Sequence, residues 1–574
     1  MAETKRQRFA ILEGQLYQER ASFDSHLIEL GEHFAPRRTR FAQTDKNRGE
    51  KRHGKIINEH GMLEARTLRS GMFAGITSPA RPWRRLTTPD PDLAEFGPVK
   101  NWLYLINKRM TSMTLRSNFY QVNPILYGDM GIFAGGAIGA FEDAQDMMRC
   151  YSYPIGSYWL ACNDRGTVDT FLYKYQMTVR QLVMKFGDPR ASEATKWNNF
   201  SAEVKNHFER GSYETSIYVS HLIQPNMDYD PRRLESKYSK PYQSCYYEAG
   251  MMNRGGQYAA SDVKDTQFLK ESGFAYFPIL APQWEKTGED TYGTTCPGMD
   301  ALATTKELQL TEKRVSRAIE KQLNPALQGP PELRNQKTSL LAGDITYVSE
   351  ANGKGGLKPI HETNMAIDKV EQRIERMERR ISRCFYADLF MMLSQMEGIQ
   401  PRNEAEIAER HEEKLLALGP VLESTNDGLL DPLTEIQFHI MMQSGLVPPP
   451  PEEIAGEDLK VEYESIMAKA QKLVGVAGTE RFIAFAGNMM AAFPEVRDRV
   501  DADEVINEYG DMMGVSSKIV RSIEDAQVIR DERAKQQQAA AMAERIPAMA
   551  GAAKQLSETD TSSDNALTRL LAGA

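Results

Sequence analysis

The stretch ERHEEK places His411 before Glu412 and Glu413, the residue types that a zinc hydrolase uses. A gluzincin helix needs a second histidine four residues on, but Leu415 stands there, so the stretch reads as a solvated helical face. His53, His60, His361 and His439 stand alone and read as surface or satisfied core residues. Gly353-Lys354 lacks both the preceding glycine spacing and the following Ser or Thr of a phosphate-binding P-loop. GIFAGGAIGAF superficially suggests a dinucleotide loop, but helix rather than strand precedes it, so its glycines read as close backbone packing. There is no G-x-S-x-G elbow, and no Cys/His pairing suggests a nucleophile. Cys150, Cys162, Cys245, Cys296 and Cys384 lie far apart, without the short spacing of a zinc or redox motif, and read as reduced thiols. The expectation is a protein that is not an enzyme and has no cofactor or metal.

The most informative charges lie in KVEQRIERMERRISR, residues 369–383. Arg373, Arg376, Arg380 and Arg383 recur every three or four residues, which sets them in a stripe along one helical face. Glu375 and Glu378 are placed to pair with Arg379 and other neighbours one turn away. Two readings follow: intrahelical pairing on a solvated face, or a subunit interface or channel wall where arginine meets a neighbour's glutamate. Residues 36–55 form a second basic stretch, with eight Lys/Arg against Asp45 and Glu50. It reads either as a solvated loop or as a contact with DNA or a neighbouring subunit. The whole chain nevertheless carries a net charge of −9, which argues against a protein whose entire surface coats DNA. A mixed or negative wall would instead let DNA slide past.

The elements that must position these residues are mostly helical. Phe9, Leu12, Leu16, Phe23, Leu27 and Leu30 predict a long amphipathic helix ended by Pro36. Helical periodicity resumes over residues 56–90 until SPARPWRRLTTPDPD, whose prolines predict a packed turn around Trp83 leading into an extended segment. Residues 96–130 again read as helical, and the glycine-rich stretch after them precedes a strand. From about 148 to 300 the pattern is β-rich, with Asn163-Asp164-Arg165-Gly166 as a hairpin turn and TVRQLVMKFG as a short helix. ETSIYVSHLIQ and QSCYYEAG alternate as strands do.

Residues 299–323 predict a helix, followed by a broken segment over 325–359 that holds the strand-like GDITYVSE. A second long helix is expected over 363–396, where Ile367, Val370, Ile374, Met377, Ile381 and Cys384 form a narrow apolar seam. Residues 403–445 read as helical with interruptions near Gly419-Pro420 and at 426–428, and residues 448–451 are a stiff proline linker. Residues 452–534 are helical and acidic, with 18 Asp/Glu against 10 Lys/Arg, and the tail from Lys535 is low in complexity.

A chain of 574 residues is too long for one core, so several domains are expected. The N-terminal stretch has no apolar run resembling a signal peptide, and no stretch reaches the roughly 18 to 20 apolar residues of a membrane span. The expected class is α+β, predominantly helical, soluble and made in a cytoplasm, without a membrane partner. A nucleic-acid-processing enzyme and a helical scaffold protein are the competing classes; the first would need a carboxylate cluster or phosphate loop, and the β-rich middle discourages the second.

Five blocks, in order, resemble the portal, or head-to-tail connecting, proteins of podoviruses. They are TLRSGMFAGITSPARPWRRLTTPDPDL, LYGDMGIFAGGAIGAFED, YPIGSYWLACNDRGTVDTFLYKYQMTVRQLVMKFG, SGFAYFPILAPQWEKTGEDTYGTTCPGMDALATTKELQ, and RHEEKLLALGPVLES followed by LLDPLTEIQFHIMMQSGLVPPPPEE. The resemblance covers residues 5–455. One departure is Gln283-Trp284, where many relatives have Arg-Trp, so a family ion pair is expected to be missing.

The resemblance implies a portal fold with wing, stem, clip and crown, assembled as a ring of twelve around a central channel. By it, residues 1–297 are wing, 298–324 the first stem helix, 325–362 the clip and 363–396 the second stem helix. Residues 397–451 hold a tunnel loop and returning wing helices, 452–534 a helical crown, and 535–574 a tail. Gln400, Arg402 and Asn403 are then the tunnel-loop residues nearest to DNA. Arg334, Asn335 and Lys337 are clip residues facing a tail adaptor or the terminase. The implied partners are further copies of the chain, terminase, tail adaptors, capsid and scaffolding proteins, and double-stranded DNA passing without sequence specificity. The implied location is the portal vertex of a virion capsid, with roles in genome packaging, retention and ejection.

Overall fold

The computed structural model describes residues 5–41, 51–249, 268–323, 367–390 and 418–463, short stretches apart, together with residues 327–328, 358–359 and pieces of 482–538. It is mixed helix and strand, with no closed barrel among the described residues.

The expected N-terminal helix is α1, Lys5–Phe34, and it buries Phe9, Leu16, Leu27 and Leu30. Its first half covers a five-stranded antiparallel sheet. The strands, in spatial order, are β3 (Tyr158–Cys162), β4 (Val168–Thr178), β5 (Ser216–Pro225), β6 (Tyr242–Glu248) and β7 (Lys270–Phe274). Register sets Leu172 opposite Leu222, and both share the α1 face with Trp159, Cys245 and Tyr247. Alternation sends Met177, Ile217 and Val219 to the other face. There they meet α5 (Val179–Phe186) and α6 (Ala202–Glu209) through Leu182, Phe186 and Val204.

Local chemistry explains the turns. Gly166 takes φ +73 in the β3–β4 hairpin while the Asn163 side chain accepts from the N–H groups of Arg165 and Thr167. Thr178 and Gln181 form a complete capping box at the start of α5. Gly187 closes that helix in an extended rather than left-handed conformation. A Cβ there would lie 2.4 Å from the Val183 carbonyl oxygen.

Between these parts runs α4, Phe119–Phe133, with eleven of its fifteen residues buried from Phe119 to Phe133. A helix apolar nearly all round must be enclosed, and each fully buried Phe, Leu or Met contributes about 1.5–3 kcal/mol. α2 (His60–Ile76) lies against it, so close that a Cβ on Gly131 would sit 2.1 Å from Leu68. α3, Gly97–Arg116, precedes α4 in the chain. The packed turn around Trp83 is present: the indole stacks on Phe119 at 6.3 Å and donates to the Tyr120 hydroxyl at 3.2 Å.

The glycine-rich step after α4 leads, as expected, into a strand. It is β1 (Ala137–Asp143), paired with β2 (Met147–Tyr153) and β8 (Ile279–Leu280). The residue that turns left-handed there is Ala134, φ 62, not one of the glycines. The segment at Gly293 packs directly on this turn, since a Cβ on Gly293 would lie 2.2 Å from the Ala134 carbonyl oxygen.

Two long helices follow: α7, Pro297–Leu323, and α8, Ile367–Cys384. The periodicity predicts a helix to 396; Tyr386, at φ 55, interrupts it after Cys384, helix resumes over 387–390, and residues 391–396 lie outside the described residues. The break turns Phe385 edge-on to Phe34 and seats Phe390 on Gly71, where any Cβ would collide. Later, α9 (Gly419–Thr425) passes through a π turn, residues 426–430, into α10 (Asp431–Gln443). The interruption expected at 426–428 is therefore a bulge within helix. Gly428 there lies against Pro282, where a Cβ would sit 2.7 Å from its Cα.

The chain divides into two compact units. The first comprises Met1–Arg85, Lys108–Val447 and Tyr463–Gln471; the second comprises Leu86–Asn107, Pro448–Glu462 and Lys472–Ala574. In the second, Asn107 accepts from the Leu86 N–H at 2.8 Å and donates back to its carbonyl at 3.0 Å. Trp102 there donates to the Pro448 carbonyl at 3.1 Å. No described helix is long and apolar enough to cross a membrane.

Candidate functional site: the helix pair and its arginine face

The α7–α8 pair is rooted in the first unit and becomes progressively exposed away from it. At the root of α7, Pro297, Gly298, Ala301, Leu302, Thr305 and Leu308 are buried. Gly298 lets the helix approach α4, since a Cβ would lie 2.6 Å from the Ile132 carbonyl oxygen. Cys296, beside it, donates to that carbonyl at 3.3 Å, and burial pushes its thiol up to about 12. It is an inert packing thiol.

A polar clamp then ties the two helices to the segment before α2. The Gln309 side chain accepts from the N–H groups of Ile57 at 2.6 Å and Asn58 at 2.8 Å, and donates to the Asn58 carbonyl at 2.7 Å. Asn58 donates to Glu312 of α7 at 3.1 Å and to Glu378 of α8 at 3.0 Å, bridging both helices. The His60 ring lies 3.0 Å from the Glu378 carbonyl and 2.9 Å from the Ser382 hydroxyl, which donates to Glu64 at 2.9 Å. His60 is the satisfied histidine expected of a lone one. Nothing in the spacing of Asn58, Gln309 and Ser382 announces the clamp, because its members come from segments more than 250 residues apart.

The apolar seam of α8 is real and graded. Met377 and Ile381 are buried, while Val370, Ile374 and Cys384 are half-buried. Beside it Arg373, Arg376, Arg380 and Arg383 are all exposed, as the stripe predicts. Their partners differ. Arg373 pairs with Glu307 across to α7. Arg376 donates to the Gln372 carbonyl of its own helix at 3.1 Å. Arg380 and Arg383 make no hydrogen bond or ion pair among the described residues. The intrahelical pairing expected of Glu375 is with Arg379, at 3.2 Å. Over residues 306–323 and 367–384 the pair holds eleven Lys/Arg against seven Asp/Glu, a local +4 in a chain of −9.

Leu327–Gln328 and Lys358–Pro359 pair antiparallel, so the chain between α7 and α8 leaves and returns at adjacent points. Arg334, Asn335, Lys337, Gln400, Arg402, Asn403, His411 and the stretch GDITYVSE lie outside the described residues. At the predicted departure, the buried Gln283 side chain donates to the Thr291 carbonyl, and the Gln283 backbone carbonyl accepts from the Ser424 hydroxyl at 2.6 Å. All five cysteines are free. No group of three or more His, Cys, Asp or Glu among the described residues is placed to hold a metal.

Helices rooted at one end, with an unmatched cationic row on the outer face of α8, define a scaffold class that presents charge to a partner. The family described as "Bacteriophage head to tail connecting protein" matches residues 6–520. The portal protein of Salmonella phage epsilon15 is 43% identical over 570 residues, covering 99% of this chain and 98% of that protein. The probable portal protein of Bordetella phage BPP-1 is 38% identical over 570 residues, with the same 99% and 98% coverage. Among solved structures, a chain of the native gene transfer agent virion aligns over 86% of this chain and 98% of its own, at TM-score 0.37 and 11% identity. That likeness carries no argument. The chain belongs to the bacteriophage head-to-tail connecting protein family and is a portal subunit.

Proposed function

We propose that the chain closes into a ring around a DNA channel, with the α7–α8 pair as its stem and the outer arginine face as part of the contact between neighbours. The observation that carries this is the exposed row Arg376, Arg380 and Arg383, none with a carboxylate partner among the described residues. A heterologous contact in a closed ring needs two different, complementary faces on each copy. The Glu371 and Glu320 carboxylates of the same two helices supply the opposite sign for a neighbour. Ring number twelve comes from the resemblance to podovirus portals.

In the same reading the ring sits at one capsid vertex. It is assembled in the host cytoplasm with capsid and scaffolding proteins, docks terminase during packaging and then holds the tail. Arg334, Asn335 and Lys337 face those partners in a clip, and Gln400, Arg402 and Asn403 form the tunnel loop beside DNA. Residues 452–534 form the crown. The role is structural: the chain guides and retains DNA, and terminase supplies the hydrolysis. The channel need not grip, and a net charge of −9 limits adhesion to phosphates.

Native mass spectrometry and negative-stain imaging test the arrangement. The unaltered chain should give closed rings, and Arg376→Glu/Arg380→Glu/Arg383→Glu should give folded subunits that do not close. Rings of normal mass from the triple variant would remove these arginines from the interface. Subunits that stay monomeric at high concentration, with and without scaffolding protein, would count against the ring itself.

A further inference from the structure

We infer that a groove between the β3–β4 hairpin, the segment after β7 and the faces of α9 and α10 is a docking site for an extended, arginine-bearing segment of another protein. The groove lies within the first unit, and no residue of the α7–α8 pair lines it, so this goes beyond the stem reading. Its volume is about 930 Å³. That is the upper end of the usual range for binding pockets, roughly 300–1,000 Å³.

Acceptors without donors single the groove out. Glu285, Asp427 and Glu435 line it, and none of these three carboxylates makes a hydrogen bond or ion pair among the described residues. Asp169 of β4 is a fourth, with the neighbouring Thr170 hydroxyl donating to it at 2.9 Å. Asp169 and Glu435 converge on Tyr242: burial first, and then these two charges, raise its hydroxyl pKa above the ordinary 10. Arg165 and Lys286 are the cations of the lining, so with His439 neutral it carries 2 − 4 = −2. Lys286 is spent on the Gly166 carbonyl at 2.7 Å, and Arg165 stands exposed in the hairpin turn. A second, independent sign is a buried acceptor. Gln283 borders the groove and is 8% exposed; its Nε2 donates to the Thr291 carbonyl, while its Oε1 has no hydrogen-bond partner among the described residues. A buried acceptor without a donor is unfavourable unless a ligand supplies one.

These open side-chain groups are all acceptors, so the occupant must bring donors and positive charge, which a nucleic-acid backbone does not. The walls are aromatic, with Tyr242, Tyr276, Phe277 and Phe438 half-buried along them. A guanidinium stacks on such faces and offers five N–H donors in a fixed fork, which an ammonium does not. The occupant is also a polypeptide. Ala275, Tyr276 and Phe277 continue the chain from β7, an edge strand of the five-stranded sheet. No backbone hydrogen bond joins these three to another described residue. An extended segment has backbone N–H and C=O groups to pair there, and alternate side chains to turn into the groove. The exposed arginines of α8 in a second copy do not fit this seat, because a helix has already used its backbone groups.

Calorimetric titration of the full chain with the peptide acetyl-Thr-Arg-Thr-Arg-Thr-amide, at constant ionic strength, is the test. One site per chain is expected. Asp427→Asn/Glu435→Gln should weaken it about ten-fold or more, while Glu214→Gln, an exposed carboxylate paired with Arg180 just before β5, should leave it unchanged. Both groove carboxylates are exposed, so the near-ultraviolet circular dichroism of the double variant should match that of the unaltered chain. Putrescine carries the same double positive charge without backbone amides or guanidiniums, and should bind about ten-fold more weakly or worse. No binding of the peptide, equal binding by the double variant, or putrescine binding as tightly as the peptide would overturn the assignment. So would a change in the assembled mass of the double variant, which would give the groove to a contact between copies of the chain.

Discussion

Arginines in two regions of this chain meet opposite fates. Within the first unit, Arg20 donates to the carbonyls of Tyr158 and Gly156 and to Asp24, and lies 4.2 Å over the Trp159 ring. Arg84 is half-buried, donating to Thr434 at 2.5 Å, to Thr114 at 3.3 Å and to Gln437 while stacked on Trp83. Its fork ties α3 to α10, and burial lowers its basicity to about 10. On α8, by contrast, Arg376, Arg380 and Arg383 stand in water with almost no partners. A guanidinium taken out of water must have its donors satisfied or it unfolds its surroundings. An exposed one costs nothing to leave unpaired and remains available to a second molecule.

This contrast breaks first at Arg84. Arg84→Ala leaves Thr114, Thr434 and Gln437 without their shared donor and should lower the stability of the first unit by about 3 kcal/mol. Urea unfolding followed by near-ultraviolet circular dichroism measures it; a loss under about 1 kcal/mol would mean that the fork is not a clamp.

A buried cation-former in the five-stranded sheet extends the comparison to pH. His221 stacks on Tyr246 at 3.8 Å and shares a hydrogen bond with Ser244 at 2.9 Å. Burial first, then Lys185 and Lys270, holds its pKa down to about 3 against an ordinary 6.5. The folded chain therefore binds fewer protons there than the unfolded one. Its contribution is complete above pH 6.5 and is lost as the pH falls towards about 3, at roughly 1.4 kcal/mol per unit. Melting curves from pH 7 to 4.5 should show this slope, and His221→Phe, which keeps a ring on Tyr246, should flatten it. An unchanged slope would assign the acid sensitivity to other groups.

Smaller effects sharpen the boundary between root and face on the helix pair itself. Asn58→Ala removes the bridge to Glu312 and Glu378 and should cost about 1–2 kcal/mol. Faster amide exchange in the adjacent turns of α7 and α8 is the readout, and unchanged exchange would mean that the apolar seam holds the pair unaided. Arg380→Ala should change the subunit's stability by less than about 0.5 kcal/mol. A larger loss in the isolated subunit would show that this face is structural after all.

Much of the architecture was legible because it depends on near neighbours. Apolar spacing gave α1, α7 and the seam of α8; Asn163 to Gly166 gave the hairpin; Thr178 and Gly187 bracketed α5. The candidate site was half legible. Exposure of the arginine stripe follows from its position beside Met377 and Ile381, whereas the clamp of Asn58, His60 and Gln309 joins distant segments and leaves no periodic signal. Nor does any pattern announce that Arg84 is the arginine held by Thr114, Thr434 and Gln437.

The sequence by itself determined the helical and β-rich segments, the acidic balance and the ordered blocks of a head-to-tail connecting protein, because each is carried by residue type and short spacing. Only the tertiary structure decided which arginines are enclosed, that Ala134 and Tyr386 turn left-handed, and where α8 ends. Those outcomes depend on what another part of the chain packs against each position. A guanidinium or a strained φ is tolerated only where distant neighbours supply hydrogen bonds, or leave no room for the alternative.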